Sequence, residues 1–298
     1  MVENTITKRK VNTMKLTGGQ IVCESLIREG VDTIFGLPGG AILPLYETLS
    51  HFPQLKHILV RHEQGAAHAA DGYARVTGKP GVAWATSGPG ATNLITGMMS
   101  AYMDSIPMVL ITGQVGRAAI GSDAFQECDI QGISLPVTKH NYLVMEVDEI
   151  AKTINEAFHI ANTGRPGPVH IDIPKDIFTE ITDFEYPEIP NLPGYRPNIN
   201  PHPKQIKRAV KLIENAEKPV ILAGHGILIS KAQNELLEFA EKAQIPVVNT
   251  LMGVSNFPSN HILYSGWPGM HGMAYASLAL EEADLILGLG TRFDDRIT

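Results

Sequence analysis

Hydrophobic and polar positions follow two alternating patterns between Thr17 and about Phe178. Short continuous apolar runs bounded by Gly, Pro or Ser are typical of buried parallel strands, and apolar residues spaced three or four apart are typical of helices. The runs predict strands at 33–37, 57–60, 81–86, 108–112 and 168–173. The helical spacing predicts helices at 19–29, in a stretch ending at Leu49, and at 64–76, 91–102 and 147–162. This alternation predicts βαβ units and therefore an α/β fold, with a parallel sheet covered on both faces.

A proline-rich stretch interrupts the alternation. Six prolines lie between Pro187 and Pro203, and such a density excludes a helix interior or a central strand. We therefore predict a linker at 186–203, after a disordered leader at 1–14 and a first domain at 15–185. The pattern then restarts and predicts a doubly wound α/β domain at 204–298, with strands at 219–223, 246–249 and 284–288 and helices at 204–216, 231–243 and 273–282. Because the chain stops soon after the last predicted strand, this second domain is expected to be incomplete.

The composition narrows the class of protein. Hydrophobic residues make up 44% of the 298 residues and charged residues 18%, which excludes a disordered chain. The net charge of −7 and the lack of a basic run argue against nucleic acid and membrane partners. The longest charge-free run, 80–103, is interrupted by Gly and Pro, so it does not predict a membrane span. No apolar segment follows the N-terminal basic residues, so no secretory signal is predicted either. Two cysteines, Cys23 and Cys128, favour a reducing compartment. We expect a cytoplasmic protein.

Glu63 is the first candidate for a functional residue, because it lies where a predicted strand ends and a helix begins. Open α/β sheets bind their ligands at this carboxyl edge. The alternative is an ordinary acid at a helix start, where the helix dipole favours negative charge. The following helix has little side-chain bulk on one surface, which allows close approach of another helix or of a subunit; the small residues are Gly65, Ala66, Ala67, Ala69 and Ala70. A carboxylate beside such a surface suits a site at an interface.

Glycine turns follow two other predicted strands, at 35–40 and 86–93. Glycines at such turns let the backbone approach a flat ligand or present N–H groups to it, although each turn alone is more typical of a tight connection. Neither turn matches a phosphate-binding loop or a dinucleotide-binding fingerprint, and the two-glycine turns at 224–226 and 288–290 lack a third glycine. No His/Cys cluster has the spacing of a metal site, so no metal ligand is predicted.

Together, these segments resemble a known family. Four of them resemble the N-terminal half of thiamine-diphosphate enzymes, at 35–40, 62–75, 87–93 and 164–169. The resemblance is strongest to the large catalytic subunit of acetolactate synthase (acetohydroxyacid synthase), which Phe125-Gln126-Glu127 and Pro174-Lys175-Asp176 also match. The segment 290–296 resembles the FAD-binding biosynthetic branch rather than the FAD-free catabolic one. The resemblance covers nearly the whole chain from about Lys15.

The resemblance implies a fold and an activity. It implies a pyrimidine-binding domain followed by a FAD-associated central domain. The implied reaction is the decarboxylation of pyruvate and the transfer of its two-carbon unit to a second 2-keto acid, pyruvate or 2-ketobutyrate, in the synthesis of isoleucine, valine and leucine. Two alternatives stay open: another thiamine-diphosphate enzyme, such as a pyruvate oxidase or a glyoxylate carboligase, and a non-catalytic assembly module.

The resemblance also implies roles for single residues. The glutamate that matches Glu63 hydrogen-bonds N1′ of the cofactor's aminopyrimidine in this family. The implied catalytic residues are Glu63, Gln126 and Lys175. The implied residues of the thiamine side are Gly36, Gly39, Gly40, Glu63, Pro89, Asn93 and Phe125. Contacts to a structural FAD are implied for Arg165, His271, Gly290 and Arg292.

One family motif is absent from the sequence. The family binds Mg²⁺ and the diphosphate through Gly-Asp-Gly followed at a distance by Asn, and no Gly-Asp-Gly occurs among these 298 residues. We therefore expect the Mg²⁺ ligands in a third domain outside this chain, and we expect the chain to be an inactive fragment by itself. The family further implies a homodimer or tetramer and a separate small regulatory subunit.

Overall fold

The computed structural model describes residues 14–297. The predicted leader at 1–14 lies outside the described residues except for Met14. The chain divides into two compact units, residues 1–199 and 200–298. Each unit has its own parallel sheet and its own hydrophobic core.

The first unit alternates strands and helices. Its elements, in chain order, are β1 (Met14–Thr17), α1 (Gly18–Arg28), β2 (Thr33–Gly36), α2 (Leu43–Leu49), β3 (Lys56–Leu59), α3 (Glu63–Thr77), β4 (Gly81–Ala85), α4 (Pro89–Asn93), α5 (Ile95–Asp104), β5 (Met108–Gln114), α6 (Ile130–Ser134), β6 (His140–Leu143), α7 (Ile150–Asn162), β7 (Pro168–Pro174) and β8 (Ile181–Phe184). Six of the strands form one sheet in the order β3-β2-β4-β5-β7-β6, and all neighbours are parallel.

Helices cover both faces of this sheet. Strands β4, β5 and β7 are buried along their whole length, and alternate residues of a strand point to opposite faces. In β4, Val82 and Trp84 join one buried cluster, while Ala83 and Ala85 join another. Continuous apolar runs are therefore needed at these strands, and the predicted α/β fold with a parallel sheet is confirmed.

The structure adds strands that the hydrophobic pattern does not predict. β6 lies at the edge of the sheet and has the polar sequence His140-Asn141-Tyr142-Leu143, so it shows no apolar run. β1 and β8 form a separate antiparallel pair, in which Met14 is opposite Phe184. Short edge strands of this kind are partly exposed, and their sequences lack the signal of a buried strand.

The helix predicted at 91–102 is wrong in detail, because the structure divides it into α4 and α5 at Leu94. α4 begins two residues earlier than predicted, at Pro89. Proline is favoured in the first helical turn, since its missing N–H has no partner there in any case. The short α4 places Asn93 at its C-terminal end.

The small-residue surface of α3 packs inside the unit. Ala66, Ala67 and Ala70 are fully buried, and a Cβ on Gly97 of α5 would lie 2.3 Å from Cβ of Ala67. The sequence predicts the close approach of another helix or of a subunit at this surface, and in the structure the helix α5 packs there. The small residue Gly65 is exposed instead.

The second unit contains a three-stranded parallel sheet. Its elements are α8 (Pro203–Asn215), β9 (Pro219–Ala223), α9 (Gly226–Ile229), α10 (Gln233–Ala243), β10 (Val247–Asn249), α11 (Ala274–Glu281) and β11 (Leu285–Leu289). The strand order is β10-β9-β11. No described helix, in either unit, is long and apolar enough to cross a membrane.

The proline-rich segment has neither helix nor strand between β8 and α8. Its part within the first unit packs against that unit, since Tyr186, Leu192 and Tyr195 contact the buried cluster around Trp84. The Tyr195 hydroxyl donates to the carbonyl oxygen of Thr163 at 2.8 Å. The predicted bounds of the domains and the linker stay predictions.

Candidate active site

The residues predicted for the thiamine side follow the carboxyl ends of the parallel strands. At β2, the strand ends at Gly36 and is followed by Gly39 and Gly40; β3 is followed by Glu63. The other three strands are followed by Pro89 and Asn93 (β4), Phe125 and Gln126 (β5) and Lys175 (β7). The strand order reverses between β2 and β4, because β3 lies on the far side of β2. Ligands of open α/β sheets bind at such a switch point. The fold therefore brings these residues to one edge of the sheet.

Glu63 is a buried carboxylate at the start of α3. It is 8% exposed, and its Oε2 accepts a hydrogen bond from Asn93 Nδ2 at 2.9 Å. Among the residues that the structure describes, no group donates a hydrogen bond to Oε1. The preceding residue, His62, caps the helix by accepting from the backbone N–H of Gln64 at 3.2 Å. A buried carboxylate with one satisfied and one unsatisfied oxygen can share a proton with an added ligand.

Close backbone contacts surround this carboxylate. A Cβ on Gly90 would lie 3.3 Å from Glu63 Oε1 and 2.7 Å from Thr86 Cγ2, and a Cβ on Gly39 would lie 2.5 Å from Thr86 Cβ. The Thr86 hydroxyl accepts from the backbone N–H of Ala41 at 3.1 Å. These contacts tie the turns after β2 and β4 together beside Glu63. In contrast, a Cβ on Gly40 would meet no atom within 4 Å, so this turn is open.

The segment that carries Phe125 and Gln126 touches the turn after β4. A Cβ on Gly88 would lie 2.6 Å from the carbonyl oxygen of Gln126. Gly88 has φ 56° and Gln126 has φ 62°, so both have a positive φ, which favours glycine. Gln126 is half-buried, whereas Phe125 is 88% exposed. The structure thus places Gln126 next to the Gly88 turn and leaves the Phe125 ring outside the core.

Lys175 is exposed at the end of β7, and its backbone N–H donates to the carbonyl oxygen of Gln114 at 3.0 Å. The next residue, Asp176, accepts from Nε of Arg117 at 2.8 Å and from its backbone N–H at 3.0 Å. Partial burial opposes ionisation, but the bonds from Arg117 hold the pKa of Asp176 below its ordinary value. This ion pair fixes the turn that presents Lys175.

A buried polar network lies beneath the same edge. Oδ1 of Asp172 accepts from the Thr112 hydroxyl at 2.5 Å, and the Thr112 oxygen lies 2.8 Å from Nε2 of His170. Burial raises the pKa of Asp172 to about 7, and the negative charge of Asp129 adds to this, although bonds from Thr112 and Gln114 oppose it. Burial also lowers the pKa of His170 to about 3. Sequence reasoning missed this network, because its polar residues lie within apolar strands.

Arg165 lies at the opposite edge of the first sheet, just before β7. Its Nε donates to the hydroxyl of Ser105 at 2.7 Å, and a second nitrogen donates to the carbonyl oxygen of Met103 at 3.1 Å. The structure therefore does not bring Arg165 to Glu63. The FAD contact of Arg165 stays a prediction.

The second unit has a switch point of its own, between β9 and β11. The turns after these strands touch: a Cβ on Gly224 would lie 2.4 Å from the carbonyl oxygen of Gly290, and a Cβ on Gly226 would lie 2.7 Å from its Cα. A Cβ on Gly269 would lie 1.9 Å from the carbonyl oxygen of Arg296, so the loop that holds His271 meets the segment after β11. Arg292 is ion-paired with Asp294.

Buried amides add to this edge of the second sheet. Asn249, the last residue of β10, is fully buried, and neither its Nδ2 nor its Oδ1 has a hydrogen-bond partner among the described residues. Asn256 donates to the carbonyl oxygen of Gly224 at 2.7 Å, but its Oδ1 is unpaired. Glycine turns that meet at a switch point, with unpaired polar atoms beside them, fit a flat polar cofactor. Within residues 14–297, no group of acidic, His or Cys side chains is arranged to hold a metal ion.

Comparison with known proteins agrees with this arrangement. Residues 16–133 match the family model "Thiamine pyrophosphate enzyme, N-terminal TPP binding domain", and residues 206–298 match "Thiamine pyrophosphate enzyme, central domain". The chain belongs to the thiamine pyrophosphate enzyme family.

Its relatives within this family carry a more particular name. The chain is 56% identical over 288 residues to the acetolactate synthase of Mycobacterium bovis. The matched region covers 97% of this chain and 47% of the relative. It is 50% identical to the acetolactate synthase large subunit of Haemophilus influenzae (95% and 50%) and 52% identical to the probable acetolactate synthase large subunit of Methanocaldococcus jannaschii (95% and 48%). The chain thus spans about half the length of the curated relatives it matches.

Proposed function

We propose that this chain is the N-terminal part of an acetolactate synthase large subunit and carries the pyrimidine half of its thiamine site. The observation that carries the proposal is Glu63, a buried carboxylate at a switch point with one oxygen held by Asn93 and one oxygen unpaired. The identity of 50–56% to proteins named acetolactate synthase supports this activity over the pyruvate oxidase and glyoxylate carboligase alternatives.

When bound, thiamine diphosphate supplies a carbon nucleophile and accepts the electron pair left by decarboxylation. Oε1 of Glu63 would hydrogen-bond N1′ of the aminopyrimidine and share a proton with it. Asn93 fixes the orientation of the carboxylate through Oε2. The close turns at Gly39 and Gly90 leave no room for a further side chain beside this carboxylate, and its burial strengthens a proton-sharing hydrogen bond.

Gln126 and Lys175 are proposed to act on the substrates, pyruvate and a second 2-keto acid, pyruvate or 2-ketobutyrate. The Lys175 ammonium is exposed at the same edge of the sheet and can pair with a carboxylate. The half-buried Gln126 can hydrogen-bond a keto oxygen or a carboxylate. Phe125 and Gly40 are proposed to line the open approach, since Phe125 is exposed and a Cβ on Gly40 would meet no atom within 4 Å.

The other cofactors and the partners belong to the same proposal. FAD is proposed to bind at the switch point of the second unit, through Gly290, Arg292 and the loop of His271. We propose that Mg²⁺ and the diphosphate are held by residues outside this chain. A homodimer or tetramer, a small regulatory subunit, a cytoplasmic location and a role in branched-chain amino-acid synthesis follow from the likeness to acetolactate synthases.

The test is acetolactate formation from pyruvate by the complete subunit, with saturating thiamine diphosphate, Mg²⁺ and FAD. Glu63→Gln keeps the shape of the side chain but removes the carboxylate, and we expect turnover to fall by about 10²–10⁴-fold, the range for a positioned acid or base. Glu47→Gln, a change at an exposed glutamate of α2, is the matched control and keeps the parent turnover. A Glu63→Gln enzyme with the turnover of the parent would contradict the proposal.

A further inference from the structure

The segment between β5 and α6, residues 115–129, lies over the carboxyl edge of the sheet and carries Phe125 and Gln126. It contains one short 3-10 turn, Arg117–Ala119, and otherwise no regular structure. Such a segment has no regular series of backbone hydrogen bonds to hold it in one position. Its position must come from side-chain bonds to the sheet.

One amide group makes such a bond. Nε2 of Gln114, at the end of β5, donates to the carbonyl oxygen of Cys128 at 2.9 Å and to Oδ2 of Asp172 at 2.9 Å. Oε1 of Gln114 accepts from the backbone N–H of Val115 at 2.9 Å. Gln114 is 5% exposed and Asp172 is 1% exposed, so these bonds are shielded from water. The Gln114 amide thereby joins the far end of the segment to the core of the sheet.

Within the segment, hydrogen bonds to the side chain of Glu127 hold a loop together. Its carboxylate accepts from the backbone N–H groups of Gly121 and Ala124. These bonds from the backbone lower the pKa of Glu127. Residues 121–127 therefore form a braced loop, and the bond from Gln114 to Cys128 attaches that loop just past its end.

The other oxygen of Asp172 serves a different part of the fold. Oδ1 accepts from Thr112, Thr112 contacts Nε2 of His170, and Nδ1 of His170 lies 3.1 Å from the Ser134 hydroxyl on α6. This arm ends on α6 and makes no bond to residues 121–128. The hydrogen bonds of Oδ1 and those of Oδ2 can therefore be tested separately.

We propose that Asp172 is a positioning residue, which fixes the Gln114 amide so that this amide holds the Phe125–Gln126 loop against the Gly88 turn. With an acceptor at Asp172, one hydrogen of the Gln114 amide is held, and the geometry of the group leaves the other aimed at Cys128. Without it, the amide loses one of its two acceptors, and only the bonds to Val115 and Cys128 remain to fix its orientation. The proposal rests on the proposed function for the meaning of the loop, because Gln126 is a proposed catalytic residue.

The experiment measures loop order by limited proteolysis of the complete subunit with chymotrypsin. Phe125 is 88% exposed in the loop, whereas Phe158 and Phe178 are each 1% exposed in the core. Cleavage after Phe125 reports opening of the loop, and cleavage after the two core residues reports unfolding of the whole unit. Mass spectrometry of the fragments separates the sites.

Gln114→Met keeps the length of the side chain and removes all three hydrogen bonds of its amide. We expect cleavage after Phe125 to become at least tenfold faster, with no change at Phe158 and Phe178. Thr112→Val removes the other arm of Asp172 and is the matched control, with cleavage after Phe125 within about twofold of the parent. Asp172→Asn keeps an oxygen for Gln114 and can donate to Thr112, so it also keeps the parent rate.

Asp172→Leu removes the acceptor entirely and is expected to match Gln114→Met. If Asp172→Leu fails to fold, Asp172→Ala takes its place as the variant without an acceptor, and Gln114→Met still decides whether the amide holds the loop. Equal cleavage after Phe125 in Gln114→Met and the parent overturns the proposal, and so does a Thr112→Val variant that opens as fast as Gln114→Met.

The same variants are assayed for acetolactate. We expect kcat to fall about tenfold or more in Gln114→Met and to be preserved in Asp172→Asn. A parent enzyme that forms no acetolactate contradicts the proposed function and leaves the cleavage result, and with it the role of Asp172, standing. A tenfold faster cleavage with an unchanged kcat overturns the link between the loop and catalysis.

Discussion

Two interpretations of Glu63, an ordinary acid at a helix start and a carboxylate that binds a ligand, can be compared by their energies. A negative charge at a helix start gains about 0.3–1 kcal/mol from the helix dipole, whereas burying a carboxylate costs several kcal/mol. The single bond from Asn93 contributes about 1.5–3 kcal/mol, the range for a bond to a charged group. The dipole and Asn93 therefore offset part of the cost of burying this carboxylate. A ligand that bonds Oε1 would offset more of it.

The first residue-level prediction concerns Asn93. Asn93→Ala removes the donor to Oε2 of Glu63 and leaves the carboxylate free to rotate. We expect acetolactate turnover to fall about 10–100-fold, which corresponds to the loss of one hydrogen bond to a charged group. The measurement is kcat with saturating cofactors.

Thr92→Val is the control, because Thr92 is the neighbouring residue of the same helix and its hydroxyl donates only to the carbonyl oxygen of Pro89. It should retain the parent kcat. Equal losses in both variants would show that α4, rather than the bond to Glu63, sets the rate.

A second residue-level prediction concerns the pH dependence of stability. The pKa of Asp172 is about 7 in the folded protein against an ordinary 3.8, so between about pH 4 and 7 the folded state holds a proton that the unfolded chain has lost. Stability therefore falls as pH rises through this window. Asp172→Asn removes this dependence, and its unfolding free energy relative to the parent should rise by up to about 1.4 kcal/mol per pH unit.

His170 gives the opposite sign. Its pKa of about 3 lies below the ordinary 6.5, so the unfolded chain binds a proton that the folded protein lacks, and stability rises with pH between these values. His170→Gln should therefore become less stable relative to the parent as pH rises from about 3 to 6.5. Urea unfolding followed by Trp84, with Trp267→Phe in every variant, measures both slopes. Slopes of the same sign would refute the assignment.

At the scale of elements, the contact of α3 with α5 decides where Glu63 lies. α3 begins at Glu63 and packs on α5 through Ala67 and Gly97, with no room for a Cβ on Gly97. The position of the carboxylate thus depends on how closely these two helices approach.

The prediction is that Gly97→Ala pushes α3 away from α5. We expect the unfolding free energy to fall by about 1–3 kcal/mol, the usual cost of overpacking. Gly72→Ala in the middle of α3 is the matched control: a Cβ there meets no atom within 4 Å, and the same change should stabilise the helix by about 0.5–1 kcal/mol. Chemical denaturation of both variants checks the two signs, and a stabilised Gly97→Ala variant would contradict the packing.

The elements also show what the sequence could predict. β4, β5 and β7 are buried on both faces, and their continuous apolar runs made them and the parallel fold predictable. The edge strand β6 and the pair of β1 with β8 depend on tertiary pairing and carry no such pattern.

The residues of the candidate site divide in the same way. Motif resemblance predicted Glu63 and Asn93 as site residues, and the bond between them depends on a fold that brings together residues 30 positions apart. Gln114 and Asp172 could not be identified, because a polar residue within an apolar strand shows its partners only once the sheet is assembled.

For the whole molecule, the prediction concerns flavin. The complete subunit should purify with bound FAD, and acetolactate should form without net reduction of the flavin. Gly226→Val places side-chain atoms where Gly290 lies, since even a Cβ would be 2.7 Å from its Cα, and we expect the loss of most of the bound flavin. The ratio of flavin absorbance to protein checks this.

Gly194→Ala, where a Cβ meets no atom within 4 Å, is the control and should purify with the flavin content of the parent. A colourless parent enzyme whose activity ignores added FAD would place the protein in the catabolic branch instead.

The pairing of β1 with β8 has a consequence for the history and the engineering of this unit. The chain enters and leaves the region of residues 14–184 at one place, because Met14 lies opposite Phe184 in the antiparallel pair. A segment whose ends adjoin in this way can be inserted into, or appended to, another polypeptide through a single point of attachment, and it suits circular permutation. Joining residue 184 to residue 14 and opening the chain at the αL turn of Gly78 would reorder the sequence while every strand keeps its neighbours.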